Sequence, residues 1–192
     1  MTRAYRMGAR AEAAKNTGER ILSAALERFT AAHFDEVTLD SIADHAGVTV
    51  QTVIRRFGSK EDLVSAVAQS QLEEVAEQRG RAPVGDISGA VANLVDHYEE
   101  FGNIAMHLLR QETRVEALAE VTANGKRFHD QWVRTVFAPW LDQLEGVARE
   151  RRHAQLVTVC DVYSWHLLRQ HRGLSRRQTE LALKELLEGV LS

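Results

Sequence analysis

The stretch VTLDSIADHAGVTVQTVIRRFGSKEDL, Val37–Leu63, contains two short runs of apolar residues at helical spacing. Thr38 precedes the first run and can cap the start of a helix, and Gly47 follows it, where a helix can end in the left-handed conformation. Thr49 and Gly58 stand in the same two places around the second run. The stretch therefore predicts two short helices joined by a tight turn that contains a glycine.

Two helices joined by such a turn form a helix-turn-helix unit, whose second helix lies in the major groove when the unit binds DNA. The small core that the two helices share is predicted to comprise Leu39, Ile42, Ala43, Val48, Val53 and Phe57. The opposite face of the second helix then remains exposed, and its N-terminal residues are the ones placed to meet base edges. The pattern thus indicates a DNA-binding head.

Three side chains on that exposed face can read bases. Gln51 can pair with adenine through its amide, Arg55 can pair with guanine through its guanidinium, and Thr52 can contact a base or a thymine methyl group. The alternative is that polar residues on a short surface helix are only solvated. Solvation explains an exposed Arg55 taken alone, whereas the whole set of residues favours DNA binding.

Other residues of the head are placed for the phosphate backbone. Thr38 stands at a helix N-terminus, Arg56 follows the base-reading positions and Lys60 begins the next helix. Free backbone N–H groups and cations both attract phosphate, and such contacts set register without reading sequence. The complete predicted DNA-binding set is Thr38, Thr49, Val50, Gln51, Thr52, Ile54, Arg55, Arg56 and Lys60.

The segments on either side of this stretch are also predicted to be helical. With Thr17 as N-cap, a first helix carries the apolar stripe Ile21, Leu22, Ala25, Leu26 and Phe29. Ser59, with Asp62 three residues on, forms a capping arrangement for a fourth helix that runs to about Arg79. The segment GRAPVGD, residues 80–86, is the best predicted linker.

This order of elements resembles the TetR family of bacterial transcriptional regulators, strongly over roughly residues 17–65 and beyond them only in length and helical style. In that family the recognition helix usually ends in Thr-Leu-Tyr-basic-His-Phe, and a lysine opens the fourth helix. This sequence has TVIRRF at residues 52–57 and then Lys60. Ile54 stands where tyrosine is common and offers no hydroxyl to a phosphate, and Arg56 puts a permanent charge where histidine is common.

Composition predicts an all-α protein. The 192 residues include 12 glycines and two prolines, and 44% are apolar and 27% charged, as in an ordinary folded chain. No run of 18 apolar residues predicts a membrane span. Residues 1–60 hold nine Lys and Arg against seven Asp and Glu, whereas the whole chain has a net charge of −3, so a mildly basic front precedes an acidic body. The lone Cys160 agrees with a reducing compartment, so the expected location is the cytoplasm.

Beyond the linker the sequence predicts a helical bundle, with helices at residues 87–101, 104–111, 115–144 with an interruption near Asn124 and Gly125, 149–171 and 178–191. The run LVTVCDVYSWHLL, residues 156–168, is apolar at nine of 13 positions, so its helix is expected to be buried on more than one side. Asp161 and His166 are polar within that run, and each must find a partner or meet water.

The resemblance implies a homodimer. In the TetR family the last two helices typically pair with their copies, and here Ser175 caps a final helix that carries an apolar stripe. A dimer would hold two recognition helices about 34–36 Å apart, so that they enter successive major grooves of a palindrome. The residues predicted for the dimer interface are Leu183, Leu186, Leu187 and Val190.

The resemblance also implies a cavity for a small-molecule effector in the middle of the bundle. Its predicted lining is His97, Phe101, Met106, His107, Trp132, Trp140 and Tyr163. Aromatic residues at helical spacing belong to a plain core more often than to a pocket, so that alternative stays open for each of them. The predicted domains are a flexible basic arm with Arg3, Arg6 and Arg10 (residues 1–16), a helix-turn-helix DNA-binding domain (17–62) and an effector-binding and dimerisation domain (63–192).

No set of residues in the sequence predicts an enzyme. Cys160 and His166 are six residues apart, about 240° around a helix, so they do not face each other. The sequence has no zinc-binding spacing and no phosphate-binding glycine loop, so we expect no catalytic residue, metal or cofactor.

The predicted function is a ligand-responsive, DNA-binding transcriptional regulator. It is expected to be a repressor that binds a palindromic operator as a dimer and is released by a small molecule. Its expected partners are double-stranded DNA, the effector and a second copy of the chain, with no membrane. The alternative is a DNA-binding regulator of the same fold that has no small-molecule effector.

Overall fold

The computed structural model of the chain describes the backbone of residues 3–192 and the side chains of residues 12–192. Within residues 3–192 all regular structure is helical, which confirms the predicted all-α class. The α-helices are α1 (Arg3–Ala31), α2 (Leu39–Ala46), α3 (Val50–Phe57), α4 (Lys60–Gly80), α5 (Ile87–Leu109), α6 (Glu116–Val136), α7 (Ala138–Leu141), α8 (Gly146–Val159), α9 (Val162–His166) and α10 (Arg176–Leu191). Phe34–Glu36 forms a 3₁₀ turn and Leu167–His171 a π-helical turn.

The chain forms two units. The first comprises Met1–Leu72 and Gln111–Val121, and the second comprises Glu73–Arg110 and Thr122–Ser192. The first unit therefore contains the predicted helix-turn-helix, and the second contains most of the predicted bundle.

Helix α1 begins earlier than the sequence predicted. Thr17 does not cap it but lies in its interior, where the hydroxyl donates to the carbonyl of Ala13 at 2.8 Å. The preceding segment is rich in Ala and Arg and has no proline, so the helix extends back to Arg3. The side chains of Arg3, Arg6 and Arg10 lie outside the described residues.

The two short helices of the decisive stretch begin and end where the sequence predicted. Thr38 accepts a hydrogen bond from the backbone N–H of Ser41 at 3.1 Å, and Gly47 ends α2 in the left-handed conformation with φ 64°. Thr49 accepts from the N–H of Thr52 at 3.3 Å and so caps α3. Each cap satisfies a backbone group that the helix end leaves without an intrahelical partner.

The first unit has a small apolar core built largely from the stripes that the sequence predicted. Phe29 and Phe34 stack with ring centroids 5.7 Å apart, joining α1 to the 3₁₀ turn. Val53 is the buried residue of α3, and Leu39 and Phe57 are half-buried. The buried apolar residues of this unit are Ile21, Ala24, Ala25, Phe29, Phe34, Val37, Ile42, Ala43, Ala46, Val53, Leu63, Val64, Val67, Ala117 and Leu118.

The predicted capping arrangement at the start of α4 is confirmed. The Asp62 carboxylate accepts from the backbone N–H of Ser59 at 2.9 Å and from its hydroxyl at 2.8 Å. The hydroxyl of Ser59 accepts in turn from the N–H of Asp62 at 3.0 Å. These hydrogen bonds favour the charged carboxylate and lower the pKa of Asp62.

Four predicted helix boundaries in the second unit are wrong, and one of them is the end of α6, which lies at Val136 instead of residue 144. Helix α5 runs through Gly102 without a break, and α6 runs through Asn124 and Gly125. The Gly102 Cα faces the Trp165 ring so closely that an added Cβ would lie 2.6 Å from Cζ3, so this glycine serves packing rather than a turn. The predicted helix over residues 149–171 is interrupted at Cys160 and Asp161 instead.

The Asp161 side chain finds a hydrogen-bond partner at the helix break. Its carboxylate accepts from the backbone N–H of Tyr163 at 2.9 Å and caps α9. Because the run over residues 156–168 turns at this cap, it has a sided pattern: Leu156, Val162 and Trp165 are buried while Leu167 is 53% exposed. The run is therefore not buried all round.

The second unit has the larger core. Its buried residues are Ala82, Ala90, Val91, Leu94, Val95, Tyr98, Met106, Trp132, Val133, Val136, Phe137, Leu141, Leu156, Cys160, Val162, Trp165, Leu183 and Leu187. Helices α4 and α5 are joined by a reciprocal pair, in which the Gln78 amide donates to the Asn93 carbonyl at 2.9 Å and the Asn93 amide to the Gln78 carbonyl at 2.6 Å. In residues 3–192 no helix combines the length and apolarity that crossing a bilayer requires.

Candidate functional site

The outer face of α3 presents the residues that the sequence predicted to read bases. Gln51 and Arg55 are exposed, and Ile54 leaves 42% of its surface in solvent, which is a large fraction for an isoleucine. Thr52 is half-buried, and its hydroxyl lies 2.9 Å from that of Thr49. The structure therefore brings the base-reading candidates together on one short helix, with Val53 anchoring its other side.

Arg56 points toward α1 rather than along this face. Its guanidinium lies against Gly18, where an added methyl group would overlap it, and its Cζ is 5.8 Å from the ring of Phe57. The side chain is nevertheless exposed. Arg56 thus keeps a cation available at the edge of α3, and Gly18 provides the space it occupies.

Arg20 holds the turn of the helix-turn-helix, a role that no sequence pattern indicated. Its Nε donates to the carbonyl of Ala46 at 3.1 Å, and Nη2 donates to the carbonyls of Ala46 and Gly47. These carbonyls are at the C-terminus of α2, where a positive charge is favourable. The helix period places Arg20 on the polar side of α1, but no local pattern indicates its partners, which lie 26 and 27 residues away.

Lys60 is engaged inside the head. Its Nζ donates to the carbonyl of Phe34 at 2.7 Å and to that of Val37 at 2.9 Å, and it lies 4.2 Å from the centroid of the Phe34 ring. Two of its three N–H groups are therefore occupied, and it offers a phosphate only one. The sequence predicted only a phosphate contact for Lys60, because the positions of the Phe34 and Val37 carbonyls cannot be read from the sequence.

The residues predicted for an effector pocket have different environments. Trp132 and Met106 are buried, His97, Phe101, His107 and Trp140 are half-buried, and Tyr163 is 51% exposed. Tyr163 is the second residue of α9 and is the most exposed of the seven. The lining stays a prediction.

A buried arginine that no sequence pattern singled out lies beside the predicted pocket residues. Arg79 is 2% exposed, with Cζ 3.8 Å from the Trp132 ring centroid and 5.9 Å from that of Tyr98. Its Nη2 lies 3.3 Å from Nδ1 of His129, and its carbonyl accepts from the Trp132 indole N–H at 3.0 Å. Trp132, predicted as pocket lining, thus contacts both ends of Arg79.

The titratable groups around Arg79 are held in their neutral forms. Burial, with the nearby charge of Arg79, lowers the pKa of His97 to about 3 and also lowers that of His129. Burial raises the pKa of the Cys160 thiol to about 12 and raises that of Tyr98, whose hydroxyl donates to the Cys160 carbonyl at 3.0 Å. Arg79 is consequently the charged member of this group.

The predicted dimer-interface residues divide between two faces of α10. Leu183 and Leu187 are each 1% exposed and pack in the core of their own protomer, so they are not available to a second chain. Leu186 is 50% exposed and Val190 is half-buried. Of the predicted set, Leu186 has the largest surface to offer a partner.

His166 lies next to the π-helical turn. Its ring is 5.1 Å from that of His171, and burial, followed by the charge of His171, lowers its pKa. Its Nδ1 has no hydrogen-bond partner.

Sequence comparison supports the assignment of the head. The family profile described as bacterial regulatory proteins, tetR family, matches residues 21–67. An uncharacterized HTH-type transcriptional regulator of Pseudomonas putida, TtgW, is 45% identical over 58 residues, which are 30% of this chain and 43% of that protein. The chain thus matches less than half of the length of that relative.

Solved structures share the fold over nearly the whole chain. A transcriptional regulator from Rhodococcus sp. Rha1 has a TM-score of 0.70 at 16% identity, covering 91% of this chain and 95% of that one. A tetR-family regulator from Streptomyces coelicolor has a TM-score of 0.69 at 20% identity, covering 92% and 80%. FadR from Bacillus subtilis, solved in complex with stearoyl-CoA, has a TM-score of 0.64 at 16% identity, covering 91% and 97%. The N-terminal helix-turn-helix thus matches the tetR family of bacterial regulatory proteins over residues 21–67, and nearly the whole chain shares its fold with solved transcriptional regulators.

Proposed function

We propose that this chain is a ligand-responsive repressor that binds a palindromic operator as a homodimer and is released by a small molecule. The observation that carries the proposal is the exposed strip of α3, in which Gln51, Ile54 and Arg55 face solvent while Val53 anchors the helix. An amide and a guanidinium on one short helix match the donor and acceptor pattern of the major groove. Because that DNA is chromosomal, the proposed location is the cytoplasm.

Contacts to phosphate are assigned to the edge of α3 and to the helix N-termini. Arg56 supplies an exposed cation, and the N-termini of α2 and α3, capped by Thr38 and Thr49, present backbone N–H groups to an anion. Lys60 contributes mainly to the fold of the head, with one N–H left for DNA. Base reading and phosphate binding are therefore assigned to different residues, and mutations in the two sets should have different effects on DNA binding.

The ligand response is proposed for the second unit. A structural neighbour, FadR from Bacillus subtilis, was solved with stearoyl-CoA, so this fold can hold a small molecule. In this chain Arg79 is a buried polar group with unpaired nitrogens, which is unusual in a core that serves packing alone. A ligand can shift the DNA-binding state only if its affinity differs between the two states of the protein.

The second candidate function is a regulator of the same fold without an effector. Trp132 and Met106, two predicted pocket residues, are buried in the apolar core, which favours a filled interior. An operator affinity that no bound compound alters would support this candidate.

The DNA-reading role of α3 is tested by Arg55→Ala. We expect discrimination between the preferred duplex and a single-base variant at the Arg55 position to fall by about 5- to 150-fold, because a bidentate arginine–guanine pair contributes about 1–3 kcal/mol. Arg56→Gln should instead weaken binding to all sequences alike and reduce its salt dependence. Fluorescence anisotropy at several salt concentrations measures both effects.

The matched control is Arg177→Ala, which removes one exposed cation from α10 without touching the head. It should leave both base preference and salt dependence unchanged. Equal loss of base preference in Arg55→Ala and Arg56→Gln would contradict the division between base-reading and phosphate-binding residues.

A further inference from the structure

The second unit buries a positive charge that no anion of the described chain neutralises. Arg79 lies in the last turn of α4, where Nε and Nη1 have no hydrogen-bond partner. Among the side chains of residues 12–192, no carboxylate forms an ion pair with it. Burying an unpaired charge is strongly unfavourable, so the arrangement requires a physical reason.

The groups around the guanidinium offset this cost only in part. The ring faces of Trp132 and Tyr98 attract the cation, and the negative end of the α4 dipole adds a small favourable contribution. Nδ1 of His129 can accept one hydrogen bond from Nη2, since Nε2 of the same ring lies 3.3 Å from the Val157 carbonyl and can donate to it. None of these groups carries a negative charge.

The neighbouring titratable side chains cannot provide that charge either. Burial holds His97 and His129 neutral and raises the pKa values of Tyr98 and Cys160, so their anionic forms are disfavoured. Nδ1 of His97 is a further buried nitrogen without a partner. The carboxylates of Asp161 and Asp130 act on His129 from a distance. Asp161 caps α9 and Asp130 pairs with Arg134, and neither forms an ion pair with Arg79. The cluster thus has one cation, unpaired nitrogens and apolar rings, and its guanidinium has no carboxylate in contact.

We propose that Arg79 binds the carboxylate of an organic acid with an apolar or aromatic body, and that this acid is the effector. Nε and Nη1 would donate charge-assisted hydrogen bonds to the carboxylate. The rings of Trp132, Tyr98 and Phe101 offer the apolar surface that the body of such an acid requires. The identity of this acid as effector rests on the ligand response proposed above, whereas its binding at Arg79 does not.

The two residues that follow Arg79 in the chain lie at the surface. Gly80 is exposed, and a Cβ added there would meet no atom within 4 Å, so the chain beside Arg79 is open to solvent. Arg81 is also exposed and pairs with Glu77 at 2.6 Å on the surface of the same helix end.

Titration of the full-length protein with 1-naphthoate and its neutral analogue 1-naphthamide tests the charge requirement. Binding is followed by tryptophan fluorescence, because Trp132 contacts Arg79. We expect saturable binding of the acid and at least roughly tenfold weaker binding of the amide, since only the acid pairs with the guanidinium. Equal affinities, or no saturable binding of the acid at millimolar concentration, would overturn the proposal.

Arg79→Met and the surface control Arg81→Met test the residue itself. Arg79→Met should lose the preference for the acid and should melt, without ligand, at the same temperature as the wild type or higher, because it removes an uncompensated charge. A purely structural clamp on Trp132 predicts a lower melting temperature instead, and that result would count against the proposal. Arg81→Met should preserve the preference.

Arg79→Lys keeps the charge, so it tests the role of the charge even if the methionine variant does not fold. It should still prefer the acid, within about tenfold of the wild-type affinity. A lysine variant that is folded but binds acid and amide equally would contradict the role of the buried charge.

Operator binding separates this inference from the proposed function. If the acid binds through Arg79 but saturation leaves operator affinity unchanged, the anion site stands and the ligand response fails. If a neutral compound releases the operator while 1-naphthoate shows no saturable binding, the ligand response stands and the anion site fails.

Discussion

Lys60 shows how a residue of the DNA-binding head can stabilise the head from within. Its ammonium joins the start of α4 to the 3₁₀ turn through the carbonyls of Phe34 and Val37. The Phe34 carbonyl also accepts from the backbone N–H of Val37 at 3.3 Å, so the lysine adds a charged donor there and supplies a donor to the carbonyl of Val37, the residue that ends the turn.

Lys60→Met should therefore lower the free energy of unfolding by about 1–3 kcal/mol, because two carbonyls lose a charged donor. Urea denaturation followed by circular dichroism measures the change. Arg55→Met is the matched control, since it removes one cation from an exposed position and should alter stability by less than about 0.5 kcal/mol. Equal stabilities of the two variants would show that the Lys60 hydrogen bonds contribute nothing.

At this scale the sequence predicts which residue types are available but not which partners they find. Gln51 and Arg55 could be placed on an exposed face because the helix period alone decides it. The partners of Lys60 lie 23 and 26 residues away, and those of Arg79 lie on helices α5 and α6. Such contacts depend on tertiary packing, which one sequence does not encode in any local pattern.

At the scale of elements, the caps around the two short helices and at the start of α4 were predictable, whereas the start of α1 and the glycines inside helices were not. Thr38, Gly47, Thr49 and Ser59 each act through neighbours within a few residues, and all four lie where the sequence placed a helix end. The glycine at position 102 suggested a helix break, but in the structure it leaves room for the Trp165 ring. That ring is 63 residues away in the chain, so no local pattern indicates the contact.

Two glycine-to-alanine variants separate these roles. Gly102→Ala should cost about 1–3 kcal/mol of stability, since its Cβ would lie 2.6 Å from a Trp165 ring carbon. Gly125→Ala in α6 should stabilise the protein by about 0.5–1 kcal/mol, because a Cβ there meets nothing within 4 Å and alanine favours helix.

Thermal unfolding of both variants measures the difference. A Gly102→Ala protein that is as stable as the wild type would mean that α9 can move away from α5 without cost, and the packing explanation would fail.

At the scale of the whole molecule, the proposed function depends on two copies of the chain. If one α3 reads one half-site, an operator with two half-sites requires a dimer. Within one protomer Leu183 and Leu187 are buried in the core, so Leu186 is the exposed apolar residue of the predicted interface.

Leu186→Arg should therefore convert the proposed dimer to a monomer and weaken operator binding, because it places a charge in an apolar interface. Light scattering coupled to size-exclusion chromatography measures the mass. Val84→Arg, at a loop position that is 57% exposed, is the control and should remain dimeric. A Leu186→Arg protein that stays dimeric and keeps its operator affinity would place the interface elsewhere.

The head of this molecule was predictable in architecture and in candidate residues because helix-turn-helix units are specified by a short, continuous segment. The second unit was predictable only as a helical bundle. Its charged cluster joins Arg79, Tyr98 and Trp132 from three helices, and no spacing in the sequence brings them together. Leu183 and Leu187 of the predicted interface pack in the core of their own protomer, because helical period identifies an apolar face without saying whether it faces its own core or a partner.

Selection of bound sequences from a pool of random duplex DNA tests the central claim most directly. The dimeric helix-turn-helix predicts an enriched inverted repeat whose half-site centres are about 10–10.5 base pairs, or a multiple of this, apart. A pool that shows no enrichment, or enrichment of a single asymmetric site, would contradict a pair of α3 helices reading DNA together.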